Sequence, residues 1–203
     1  MTPRPYHLGK RQAGIGDARI RVLEAARALL AHASSYTEFT VEAVANRADV
    51  ARATVYYQFG SKTALLEALC DHLADAGGMG RLEEAFSEAD PHRALDRFVV
   101  TFARFWEVDR RVMRRLRGLA ALDPDVGAVI TARDERARRG LGLLLERLEP
   151  VGPACHDVPQ VVRTVHALMS FETFDALAGD DRTPTEVAPI VVRLILGFLS
   201  DPG

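Results

Sequence analysis

The chain has 203 residues, 48% hydrophobic and 27% charged, which is a globular composition with ample apolar material for a core. Its net charge of −2 excludes a protein coated in positive charge, but the distribution is uneven: residues 1–62 hold nine Lys and Arg against five Asp and Glu, the remainder 17 against 23. A basic beginning joined to an acidic remainder fits a local nucleic-acid surface.

Residues 1–16 carry prolines, glycines and the bases Arg4, Lys10 and Arg11 without an apolar run. They read as a flexible arm, not as a signal peptide. From Asp17 the pattern turns helical, with Ile20, Leu23, Ala26 and Leu30 on one stripe, until Ser34 and Ser35 end it. Thr40 is a good N-cap for a short helix that Asp49 closes. Ser61 caps a further helix to about Ala76, ended by Gly77 and Gly78. Asp90–Pro91 and Asp123–Pro124 each set an acceptor at an N-cap and a proline at the first helical position. Leu95, Phe98, Val99, Phe102, Phe105 and Trp106 then step by three and four, the spacing of a buried helix face.

Pro150 to Pro153 is a firm break, and one more helix follows with Val161, Val165, Leu168 and Leu177 on its apolar side. Thr183, Pro184 and Glu186 form a capping box. Pro189 disfavours helix at the residue before it, so the last helix either kinks near Ala188 or starts at Pro189. Val187 to Leu199 is apolar on nearly all sides, which asks for burial on two faces. No strand-like alternation or repeat occurs, and the expected fold is all-α.

Cys70 and Cys155 form neither a metal-type pair nor a disulfide framework and read as idle thiols in a reducing cytoplasm. Arg193 splits the best apolar run, so no membrane span is expected. The expected location is cytoplasmic, and neither a metal nor a cofactor is called for.

The stretch from Phe39 to Leu66 carries most of the chemistry. Reading DNA requires side chains projecting from one helix into a major groove roughly 12 Å wide. That helix must be held at a fixed angle by a second one packed across it through a short turn. Val44 and Ala45 can pack against Val55 and Phe59, with Val50 plugging the turn. Arg52, Thr54, Tyr56, Tyr57 and Gln58 are then left outward or at the rim, a mixture that a buried core would not choose.

Phe39–Thr40, Val44–Ala45, Ala48-Asp49-Val50, Thr54-Val55-Tyr56, Phe59, Lys62 and Leu65–Leu66 together closely resemble the TetR family of transcriptional regulators. The resemblance covers about residues 17–77, with the helix-turn-helix at 40–59. It implies that Arg52 contacts a base, bidentate bonding to guanine being the commonest form. Thr54 would meet a thymine methyl or a phosphate, Tyr56 and Tyr57 would clamp the backbone, and Gln58 would reach a phosphate or a base edge. Lys62 would add its ammonium to the positive end of its helix in holding a phosphate, and the N–H groups behind Thr40 offer a second such place.

Two residues depart from the family pattern. Asp49 stands where a glycine usually supplies a left-handed backbone, a region that Asp visits more readily than most residues. Ala51 replaces the usual capping serine, a loss of about 0.5–2 kcal/mol unless something compensates.

The resemblance also implies that residues 78–203 form a helical regulatory and dimerisation domain. Homodimerisation agrees with the physics of reading a palindromic operator, since one recognition helix covers few bases. The helices near Val158–Leu177 and Val187–Leu199 are the expected four-helix interface. Phe102, Phe105, Trp106, Met113, His166, Met169, Phe171 and Phe174 are the candidates for lining a pocket for a small apolar or amphipathic effector. The basic run Arg110, Arg111, Arg114, Arg115 and Arg117 reads as a solvated face paired in part with Glu107 and Asp109.

The expected function is thus a homodimeric, sequence-specific DNA-binding regulator, a repressor released by an effector, and not an enzyme. One rival is a helical interaction module that has lost DNA binding. The other is an all-α enzyme built on the scattered histidines His32, His72, His92, His156 and His166, which show no metal-ligand or nucleophile–base spacing.

Overall fold

The computed structural model describes residues 8–32, 39–148 and 157–200. Among them are eleven α-helices and no strand. The helices are α1 (Leu8–His32), α2 (Val41–Arg47), α3 (Arg52–Phe59), α4 (Lys62–Ala76), α5 (Leu82–Ser87), α6 (Pro91–Val108), α7 (Arg110–Ala120), α8 (Pro124–Leu145), α9 (Val158–Leu168), α10 (Phe171–Ala178) and α11 (Pro184–Ser200). A 3-10 turn, Met79–Arg81, joins α4 to α5.

The helix starts follow local chemistry. Thr40 Oγ1 accepts from the Ala43 N–H at 3.1 Å, and Ser61 Oγ from that of Ala64 at 3.0 Å. Asp90 and Asp123 cap α6 and α8 with Pro91 and Pro124 at the first helical position. The capping box of α11 is reciprocal: Glu186 N–H donates to Thr183 Oγ1 at 3.2 Å, and Thr183 N–H to Glu186 Oε2 at 2.7 Å. Each cap satisfies first-turn N–H groups that have no partner within their own helix.

Three boundaries differ from the sequence reading. Helix α1 begins at Leu8, so much of the stretch expected as an arm to residue 16 is its first two turns. Glycine lowers helix stability by about 1 kcal/mol relative to alanine without breaking the helix, and no proline lies between Leu8 and His32. The apolar stretch from Val158 to Leu177 is two helices, because Ser170 opens a new one. Its Oγ accepts from the Thr173 N–H at 3.2 Å, and the indole of Trp106 donates to the Met169 carbonyl at 3.3 Å, a group released at the break. Helix α11 starts at Pro184 and runs through Pro189, whose ring lies on an exposed face. Pro150–Pro153 and Cys155 lie outside the described residues, as do Ser34 and Ser35.

One apolar cluster is continuous from Val22 on α1 to Leu199 on α11. The first four helices form a small unit: α1 lies against α2, α3 and α4, and α2 packs on α3. The later helices wrap around α6, whose Ala94, Leu95, Phe98, Val99, Phe102 and Trp106 are buried. Helix α4 belongs to both regions, touching α1 and α3 on one side and α6 and α8 on the other. Where α4 stops, the backbone of Gly77 runs against Phe105, and a Cβ there would sit 2.6 Å from its ring.

Candidate functional site

The α2–α3 pair is held from beneath by apolar contacts. Val44 and Ala45 are buried, as are Val55 and Phe59 on the facing helix. Between them the chain reverses at Asp49, whose φ of 53° makes it the one non-glycine residue with a left-handed backbone among those described. The Val50 N–H bonds the Ala45 carbonyl at 3.1 Å, which pins the turn. Ala51 stands at the N-cap of α3 and supplies no side-chain bond. Both departures read in the sequence therefore act as expected on the backbone.

Arg52 opens α3 with its side chain 60% exposed. One guanidinium nitrogen donates to the Tyr56 hydroxyl at 3.3 Å, the planar group lies 5.5 Å from the Tyr56 ring centroid, and Glu42 of α2 comes within 4.0 Å. Tyr56 is exposed on its outer edge and Tyr57 is 80% exposed, an unusual display for phenol rings in a folded chain. Thr54 and Gln58 lie half-buried at the rim. The Gln58 carbonyl accepts from Arg19 of α1 at 3.2 Å, and the same guanidinium stacks on Phe59 at 4.5 Å. Arg19 thereby braces the far end of α3, a role that α1's helical spacing alone does not disclose. At Thr40 the hydroxyl is already occupied with the Ala43 N–H, which leaves those of Val41 and Glu42 for an anion.

Lys62 already has a partner within the chain. It does start α4, as expected, but its ammonium is bonded to Asp123 Oδ2 at 2.6 Å rather than standing free beside α3. Asp123 is the N-cap of α8, and Lys62 holds its carboxyl below the ordinary carboxylate value. The reason is tertiary: α4 packs against α8, which brings residues 61 positions apart together.

Further ionic ties join the first four helices to the rest. Arg27 of α1 grips Asp109, at the α6–α7 junction, in a two-point contact of 2.6 and 3.1 Å. Arg133 of α8 reaches Asp71 of α4 at 2.6 Å and the Glu67 carbonyl at 2.8 Å. The fork-on-carboxylate geometry of Arg27 on Asp109 fixes orientation as well as charge.

Behind α4 lies a cavity of about 460 Å³, within the size range of small-molecule sites. Four of the expected wall residues, Phe102, Phe105, Trp106 and Met113, line it. His166 and Met169 line a much smaller recess of about 20 Å³ next to it, which shares Phe102 and Trp106. Phe171 and Phe174 do not face the cavity. Phe174 is fully buried core, and Phe171 packs edge-on against Trp106 at 5.6 Å and lines a separate groove with Arg114 and Asp175. The helix-face spacing could not separate wall from core, because both are apolar and only the void distinguishes them. The walls also include Cys70, Met79, Phe86 and Phe98, which the sequence reading passed over. Burial pushes the Cys70 thiol up to about 11, so it stays protonated and inert near neutrality.

The basic run on α7 is partnered otherwise than expected. Arg110 and Arg114 both bond Asp175 of α10, the latter at 2.8 Å, and Arg117 makes a two-point contact with Asp134 of α8 at 2.7 and 2.9 Å. Burial works to raise Asp175, but the two arginines outweigh it and hold the carboxyl below its ordinary value. Asp109 is taken by Arg27, and Glu107 accepts the Thr185 N–H at 3.1 Å. Glu107 lies on α6, and the helix break at Asp109 turns α7 away from it, while the packing of α7 on α8 brings Asp134 to Arg117. No cluster of three potential metal ligands occurs among the described residues, and no described helix is long and apolar enough to cross a membrane.

Residues 22–69 match the family model described as bacterial regulatory proteins, tetR family. No curated protein matches the chain. Among solved structures, the chain is similar to a TetR-like transcriptional regulator from Rhodococcus sp. RHA1, with a TM-score of 0.67, 20% identity and coverage of 97% of this chain and 98% of that one. It is also similar to the TetR family transcriptional regulator PfmR from Thermus thermophilus, at 0.63, 24%, and 87% and 97%. A third is the transcriptional regulator FadR from Bacillus subtilis in complex with stearoyl-CoA, at 0.64, 17%, and 87% and 96%. At these identities the likeness concerns the fold: a helix-turn-helix followed by a helical body.

Proposed function

We propose that this chain, which belongs through its residues 22–69 to the tetR family of bacterial regulatory proteins, is a homodimeric repressor released from a pseudo-palindromic operator by a small apolar or amphipathic effector. That it is a DNA-binding transcriptional regulator follows from the family. The finer reading rests above all on one observation: α3 displays Arg52, Tyr56 and Tyr57 to solvent while Val55 and Phe59 root it in the core. Arg52 is assigned to a base edge, Tyr56 and Tyr57 to the phosphate backbone, and Thr54, Gln58 and the first turn behind Thr40 to flanking contacts.

Residues 17–77 act as the reading unit, with the rest of α1 extending it, and 78–203 as the regulatory and dimerising unit. The outer face of α11 supports pairing. Leu194 is exposed, with the partly buried Ile190 and Phe198 one turn away on either side, and no other described helix covers Leu194. Two copies joined there would place two reading helices on one side of a duplex. They would serve half-sites roughly 34–36 Å apart.

Lys62 reaches a phosphate only by leaving Asp123. The ties Lys62–Asp123, Arg133–Asp71 and Arg27–Asp109 then connect the cavity's helices to the reading unit. An effector that prefers one arrangement of α4 against α8 shifts head spacing by its differential affinity.

Selection of bound sites from random duplex DNA tests this reading. The expected result is a palindrome with half-sites about one helical turn apart and an affinity that falls steeply with salt. Recovery of no preferred sequence and no salt-sensitive binding would leave only a helical module that does not read DNA. Sedimentation at micromolar concentration that showed only a 22.3 kDa species would remove the paired heads.

A further inference from the structure

The cavity has a charge pattern that its apolar walls do not require. Three guanidiniums, those of Arg117, Arg133 and Arg136, and two carboxylates, those of Asp71 and Asp134, line it. Asp134 is fully engaged by the two-point contact from Arg117, and Asp71 by Arg133. Arg136 makes no ion pair with any described residue. One positive charge is left over.

Arg136 is exposed and so stands at the edge of the cavity. Arg133, Arg136 and Asp71 also line a second groove of about 340 Å³ that follows α4 and α8 toward Thr63, where the exposed carboxylate of Glu67 adds a negative charge outside the cavity's own lining. These residues are thus shared by a mainly apolar compartment rich in aromatic rings and a more polar groove beside it. The Arg133–Asp71 pair is unequal: the arginine side chain is 23% exposed, but that of Asp71 is 65% exposed. A solvated carboxylate is a weak holder of a guanidinium, because water screens it. A ligand anion arriving at the rim can take the Asp71 side of Arg133 and meet Arg136 at once.

We propose that the cavity takes an amphipathic anion, with its apolar body among the aromatic rings and its carboxylate or phosphate head held by Arg133 and Arg136 at the α4–α8 rim. Planar forks match such heads with two bonds each. A cationic amphiphile is disfavoured within the cavity, because Asp134 is fully engaged by Arg117 and Asp71 faces Arg133, while Arg136 adds a positive charge to the lining. This deepens the effector reading above and rests on it.

Trp106, the sole tryptophan of the chain, lines the cavity and reports its occupancy by fluorescence. Three probes with the same twelve-carbon chain, each kept below its micelle concentration, separate the possibilities: dodecanoate, dodecanol and dodecyltrimethylammonium. The expected result is that dodecanoate binds about tenfold more tightly than dodecanol, and that the ammonium compound is weakest. Arg136→Gln and Arg133→Gln should each reduce dodecanoate affinity several-fold while leaving dodecanol unchanged. Circular dichroism verifies that both variants remain folded, which the partly exposed positions favour.

Equal binding of dodecanoate and dodecanol, tighter binding of the ammonium compound, or indifference of dodecanoate to both substitutions overturns the assignment of an anionic head while leaving the cavity an effector site. Failure of all three probes to alter Trp106 overturns the anion assignment and the effector role of the cavity together. Retention of sequence-specific DNA binding in that case would show that the reading unit stands regardless.

Discussion

The α2–α3 reading unit and the cavity region are built from similar helices, yet they use side chains in opposite ways. In the reading unit the polar groups point out and the apolar ones point in, so function sits on the surface of a small solid core. Around the cavity the apolar groups line the space that the effector reading proposed above uses, with charged groups beside them. The first kind of site is specified over a short span of sequence: Val44 to Phe59 contains both the footing and the display. The second draws on α4 to α8, and no short window contains it. A surface site therefore shows itself in residue type, whereas an internal one depends on the space left between side chains.

This contrast yields expectations that differ in size. Phe174→Ala, at a fully buried core position outside the cavity, should destabilise the fold by about 3–5 kcal/mol. If chemical denaturation gives a loss under about 1 kcal/mol, Phe174 belongs to a loosely packed wall and the division between core and cavity drawn above is wrong. Arg52→Ala should cost roughly 1–3 kcal/mol of affinity on the best duplex and relax preference at one base pair, with stability unchanged. Equal weakening on all sequences would make it a phosphate contact instead.

Ala51→Ser should stabilise the chain by about 0.5–2 kcal/mol by restoring an acceptor at the head of α3. A thermal midpoint that does not rise would mean that another group already serves those N–H groups. Lys62→Ala should weaken every duplex nearly alike and flatten the log–log salt slope by about one unit. An unaltered slope would assign Lys62 wholly to its bond with Asp123.

The smallest effect concerns pH. Burial holds His166 below its ordinary value of about 6.5, so the folded state prefers the neutral ring. The unfolded chain then binds more protons in this range, and stability rises with pH. The contribution is intact above the unfolded value and is lost as pH falls through the folded one. Denaturation midpoints at pH 7.5 and 5.5 should differ more in the parent than in His166→Gln, and an equal drop in both would locate the sensitivity elsewhere.

Much of the reading unit was legible in advance. The caps at Thr40, Ser61, Asp90, Asp123 and Thr183 all depend on groups within three residues of one another, and so does the capless start at Ala51. Asp49 was recognisable as a left-handed position because few other side chains tolerate one. The cavity was legible only in part. Phe102, Phe105, Trp106 and Met113 share a periodicity with true core, and the same pattern also took in Phe171 and Phe174, which do not line that cavity.

The amino-acid order by itself determined the all-α architecture, most helix starts and the residues that α3 displays to solvent, because each depends on interactions a turn or two long. Only the tertiary structure decided that Lys62 is held by Asp123, that Arg117 and Arg133 find Asp134 and Asp71, and that a cavity remains among α4, α6 and α8 where they pack. Those outcomes depend on how separate helices approach one another. Partner choice across a packed interface is set by distance in space, which the spacing of residues along a chain does not contain.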